Sequence, residues 1–136
     1  MPISISQCTE TDIYKARFYG DIALSDLRFM FARFAALVER QPQSIYRIGL
    51  INEMTNDNAS LSYLTDLMCA PLPGSYADQR ITDVFVSEQI YPPLPFSLIN
   101  RHGKVVPLFH TLKQALSVIC AITDTTHRAN TITASV

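Results

Sequence analysis

The chain reads as an α/β domain: a mixed sheet of about five strands, opening with a hairpin and packed by about four helices. Three observations predict this. Two segments of strict apolar–polar alternation lie close together before residue 20. After them, short apolar runs alternate with amphipathic stripes of helical period. Finally, 48% of the residues are hydrophobic and only 17% are charged, a balance that suits a sheet covered on its faces.

Ile3 and Ile5 alternate with Ser4 and Ser6, which is the period of a strand with one covered face. The polar cluster Thr9-Glu10-Thr11-Asp12 turns the chain. In the second strand Tyr14, Ala16 and Phe18 point one way, Lys15, Arg17 and Tyr19 the other, and Gly20-Asp21 ends it. A helix follows, with Ser25 as its expected N-cap and Asp26 in the first turn, where a negative charge suits the helix dipole. Leu27, Met30, Phe31, Phe34, Leu37 and Val38 recur at three- and four-residue steps, and Pro42 stops the pattern.

Tyr46 to Asn52 is a short apolar segment broken by the polar run Glu53 to Ser60, a buried strand entering an exposed loop. The next helix starts near Ser60, places Leu61, Leu64, Leu67 and Met68 on one face, and dies at Pro71-Leu72-Pro73-Gly74. Ile81 to Val86 reads as another buried strand. Tyr91 to Asn100, proline-rich at its start, suggests a loop entering a short helix. Val105 to Phe109 is a strand that Pro107 assigns to an edge. Thr111 and Gln114 match a capping box and open a last helix carrying Leu112, Ala115, Leu116, Val118 and Ile119. Residues 1–122 thus form one domain, and 123–136, without periodicity, a flexible tail.

A net charge of −1 offers no field for nucleic acid, which is excluded as a partner class. No apolar run approaches the roughly 20 residues of a membrane span, and the N-terminus lacks the pattern of a signal peptide. Cys8, Cys69 and Cys120 show no metal-ligand or redox spacing; Cys69 and Cys120 fall in apolar stretches and are expected as buried thiols in a reducing cytoplasm. His102, His110 and His127 are scattered, so no metal and no cofactor is expected. No catalytic motif is present, and the domain is read as non-enzymatic.

Three stretches resemble the STAS and anti-sigma-factor-antagonist superfamily, chiefly its small SpoIIAA-like members, distantly related to CRAL-TRIO domains. Phe18-Tyr19-Gly20-Asp21-Ile22 with the following helix looks like the family's opening. Arg47 to Asn52 with its polar loop looks like the central strand and switch loop, and Pro107 to Leu116 like the closing phrase. The resemblance implies a regulatory protein-interaction module presenting the loop after the central strand, with Asn52, Glu53, Thr55, Asp57, Asn58 and Ser60 as its partner-binding or switch residues. The family's switch proteins carry an acidic residue after the central strand and a phosphorylatable Ser or Thr in an Asp-Ser-Ser-Gly-like turn. Here Asn52 stands near the acidic position, Asn56 to Ser60 replaces the turn, and the glycine is absent.

Competing readings accompany these residues. A phosphate on Ser60 would lie at a helix N-terminus, whereas the plainer reading has Ser60 or Asn58 capping that helix. Phe29, Met30, Phe31 and Phe34 either pack a helix on the sheet or form an apolar ligand cavity or a self-association surface; Met30, Phe34, Tyr91 and Phe96 would line the cavity for a small apolar, lipid-like ligand. A homodimer is expected as readily as a monomer.

Overall fold

Strands β1 (Ile3–Gln7), β2 (Ile13–Gly20), β3 (Ile45–Met54), β4 (Ile81–Val86) and β5 (Leu108–Phe109) lie side by side in chain order. A computed structural model describes residues 2–8, 11–41, 43–88 and 106–122. β1 and β2 pair antiparallel, and every later pair is parallel. The pattern follows from the connections. A few residues suffice for the β1–β2 hairpin, while a parallel return needs a crossover, supplied by helix α1 (Leu24–Arg40) between β2 and β3 and α2 (Asn58–Met68) between β3 and β4. A third helix, α3, spans 112–122.

The two crossovers step across the sheet in one direction, so a common handedness puts α1 and α2 on one face. Side-chain alternation divides the strands accordingly. Tyr14, Ala16, Phe18, Ile45, Ile51, Ile81 and Phe85 join Leu27, Met30, Phe31, Phe34 and Val38 of α1 and Leu61, Leu64 and Met68 of α2 in the larger core. Ile13, Ile48, Val84 and Val86 point the other way and are covered by Ala115 and Ile119 of α3. Each large apolar side chain so buried contributes about 1.5–3 kcal/mol before entropy is subtracted. Gly49 has a packing reason: a Cβ there would meet the Phe85 ring at 2.7 Å. The hairpin and the mixed sheet match the sequence reading, and β5 is the last strand in the order, but it is confined to Leu108–Phe109: Pro107 precedes it and contributes only its carbonyl, which accepts from the Phe85 N–H at 2.9 Å. The short helix expected within residues 91–100, Tyr91, Phe96 and the tail 123–136 lie outside the described residues.

Local details correct that reading. Ala23, not Ser25, is the N-cap of α1; Ala23 has no side-chain acceptor, and instead the Asp26 carboxylate reaches back to accept from the Ala23 N–H at 2.9 Å. Helix α2 begins at Asn58 and is capped by Asp57, whose Oδ1 accepts from the Ser60 N–H at 2.8 Å. Neither Ser60 nor Asn58 is the cap, because Asp57 is one of the best N-cap residues and stands first. Cys69 is buried, but Cys120 is exposed, since turning Ala115 and Ile119 inward leaves residue 120 on the outer side of α3. Thr111 does cap α3, accepting from the Gln114 N–H at 3.1 Å, while Gln114 Oε1 accepts from the His110 N–H rather than from Thr111.

Within the larger core sits an ion pair that apolar patterning alone did not announce. Arg47 and Asp83 face each other in register on β3 and β4, both side chains fully buried, with Nε–Oδ1 at 2.6 Å and Nη2–Oδ2 at 3.1 Å. The guanidinium also donates to the Gly74 carbonyl at 2.6 Å and lies between the Phe34 and Tyr76 rings, 4.7 and 4.3 Å from their centroids. Burial alone would lower the Arg47 pKa, but the Asp83 carboxylate outweighs it and holds arginine above its ordinary value. The arrangement pins the segment after α2 against the sheet. Gly74 itself needs φ +79°, and a Cβ there would strike the Phe31 carbonyl oxygen at 2.0 Å.

Candidate functional site

Parallel strands joined by crossover helices deliver their carboxyl ends, and the amino ends of the helices, to one edge of the sheet. Here that edge gathers the β2–α1 turn, the β3–α2 loop, the end of β4 and the start of α3. The two loops are knitted together. The Asn56 amide accepts from the Ile22 N–H at 2.7 Å and donates to the Ile22 carbonyl at 2.9 Å. Thr55 N–H donates to the Gly20 carbonyl at 3.0 Å, and its hydroxyl to Asp21 Oδ1 at 2.8 Å. Residues 55–57 are therefore held in one shape although Thr55 and Asp57 are exposed.

The sequence-predicted site residues divide into two groups. Asn52 and Glu53 belong to β3 rather than to a loop, because the strand runs on to Met54. They line an open cleft of about 200 Å³ with Arg17, Leu50, Val86, Glu88 and Leu112. Asn52 Oδ1 accepts from the Glu88 N–H at 2.5 Å, and Glu53 is ion-paired with Arg17, whose guanidinium also lies 4.8 Å from the Tyr19 ring centroid. One guanidinium and two carboxylates leave this cleft net acidic. Thr55, Asp57 and Ser60 sit outside it, at the loop and the first turn of α2; Asn58 is that helix's first residue.

The Ser60 N–H bond to the Asp57 carboxylate holds that carboxyl below the usual range. The anion-accepting end of α2 is thus already occupied by a carboxylate. Arg17, Asp21, Asn56 and Glu88 are the members of this edge that the sequence reading did not single out. A signal was available for Arg17, which alternates onto the face opposite Phe18, whereas Asn56 bonds the distant Ile22 backbone and Glu88 donates its own backbone N–H to the distant Asn52 side chain.

Met30 and Phe34, expected either in the core or in a ligand cavity, are 1% and 0% exposed and pack with the core cluster; the Phe34 ring meets Tyr14 edge-on. The crevice beside Met30 has a volume of only about 10 Å³. His110 is exposed beside α3, and His102 and His127 lie outside the described residues. Among the described residues no group of three or more His, Cys, Asp or Glu side chains is placed to hold a metal, and no helix is long and apolar enough to cross a membrane.

Five strands in chain order, an antiparallel opening hairpin and helices on both faces define a mixed-sheet α/β fold. Among solved structures the chain is similar to the anti-sigma factor antagonist SpoIIAA in its unphosphorylated form, with a TM-score of 0.52 over 86% of this chain and 96% of that one. At 10% identity the likeness is one of fold. No protein-family model and no curated protein sequence matches the chain.

Proposed function

We propose that this chain is a non-enzymatic, cytoplasmic regulatory module that presents the β3–α2 loop and the first turn of α2 to a protein partner. The observation that carries this reading is the loop itself. On a STAS-like scaffold, residues 55–57 are clamped by Asn56 to the neighbouring turn while Thr55, Asp57 and Ala59 remain exposed. A loop held in advance in one conformation loses little entropy when it docks, which favours recognition. Binding through this loop does not depend on a phosphate, because Asp57 already supplies the negative charge at the α2 terminus.

The test compares the full chain with Ser60→Asp and Asp57→Lys variants as immobilised bait, with quantitative mass spectrometry of retained proteins and a melting curve for each bait. The reading expects a protein retained by the native chain and lost from a variant that melts as a folded domain. Retention of the same proteins by both folded variants would overturn it.

A further inference from the structure

Among the described strands β1 is the outermost, with β2 on one side. The Pro2 carbonyl accepts from the Tyr19 N–H at 2.7 Å and the Cys8 N–H donates to the Ile13 carbonyl at 2.8 Å. Antiparallel pairing alternates from those two points, so Ser4 and Ser6 bond to β2, while Ile3, Ile5 and Gln7 turn their N–H and C=O groups outward. Edge strands are usually blunted by charge, proline or a bulge. Ile3 to Gln7 contains no charge and no proline and pairs with β2 without a register break.

Helix α1 lies over this edge. Asp26, Phe29, Met30 and Arg33 line a crevice with Ile3 and Ile5, and Phe29 is 49% exposed. Asp26 and Arg33 are two turns apart on one side of the helix, with Phe29 and Met30 midway between them. Arg33 forms no ion pair among the described residues.

We propose that β1 and α1 form an interface with a second copy of this chain, related by a two-fold axis through Ile5. An axis perpendicular to the sheet makes the two β1 strands antiparallel and keeps both α1 helices on one side. Ile5 then exchanges its N–H and C=O bonds with its own counterpart, and Ile3 exchanges with Gln7 of the other copy in both directions. Because α1 runs back along β2, and β1 is antiparallel to β2, α1 runs in the sense of β1. The same axis therefore makes the two α1 helices antiparallel. Asp26 of each copy comes opposite Arg33 of the other, and the two Phe29 side chains meet between these pairs. One operation matches strand, apolar side chain and charge, as an isologous interface requires. The pairing rests on β1 and α1 alone and is independent of the loop after β3.

Sedimentation equilibrium of the full chain tests it. The native chain is expected to dimerise reversibly. Arg33→Asp should weaken the dimer about tenfold or more by setting like charges against each other. The double exchange Asp26→Arg/Arg33→Asp should restore it, which a mere loss of fold would not do. Ile5→Pro removes an outward N–H and should leave a monomer whose circular dichroism remains native. A native chain that stays monomeric throughout the concentration range would overturn the proposal. So would a dimer whose Kd ignores both Arg33→Asp and the double exchange.

Discussion

Two arginine–carboxylate pairs bridge neighbouring strands, Arg17–Glu53 between β2 and β3 and Arg47–Asp83 between β3 and β4, each joining residues 36 apart in sequence. Their chemistry is alike and their surroundings are opposite. Both side chains of the first pair are 48% exposed, at the mouth of the acidic cleft, whereas those of the second are 0% exposed and held between two aromatic rings. Water solvates the first pair whether or not it forms, so the contact adds little to stability and leaves both groups available to a partner. For the second, desolvation is tolerable only while every charge has its counterpart, so it ties β3, β4 and the Gly74 turn into one arrangement.

The largest effect expected from this contrast is that of Asp83→Ala. Leaving Arg47 buried without its carboxylate should cost about 3–5 kcal/mol in urea unfolding. The paired replacement Arg47→Met/Asp83→Val should recover most of that loss. A double variant no more stable than the single one would show that the unpaired charge is not the source of the cost.

A smaller effect is expected at the loop. Asp57 has a folded pKa below its ordinary value of 3.8, owing to the Ser60 backbone hydrogen bond. Unfolding therefore takes up a proton as pH falls below about 4, so the stability Asp57 contributes is present above its unfolded pKa and is lost as pH falls through the folded value. Asp57→Asn keeps a good cap and should flatten the acid limb of stability against pH, leaving the part due to Asp78, which is also depressed, by its bonds to Arg80. An unchanged acid limb would remove Asp57 from the account. The smallest effect belongs to the exposed pair: Arg17→Ala should leave the melting temperature within measurement error at both low and high salt. A clear, salt-dependent drop would mean that the rim pair is structural after all.

These contrasts also mark what was legible in the chain. The hairpin followed from alternation, the α1 stripe from helical period and the Ile81–Val86 strand from its short apolar run, patterns that report burial directly. The start of α2 was displaced because Asp57, Asn58 and Ser60 can each serve as a cap and the first of them does; that of α1 was displaced because Asp26 reaches back to the Ala23 N–H, so that the N-cap position needs no polar side chain. At the candidate site, Asn52, Glu53, Thr55, Asp57 and Ser60 lie at the carboxyl edge of the sheet, but their division between cleft and loop was not visible in the sequence. It depends on how far β3 continues beyond Asn52, which is decided by pairing with β2.

The amino-acid sequence by itself determined the class of fold and the faces of its elements, because hydrophobic burial is written locally with a period of two or of 3.6. Only the tertiary structure decided that Arg47 would meet Asp83, that Asn56 would clamp Ile22, and that β1 would be left at an edge beneath Phe29. Hydrogen bonds and charges act over a few ångströms in space, and residues far apart in sequence come within that range only when the strands are laid side by side.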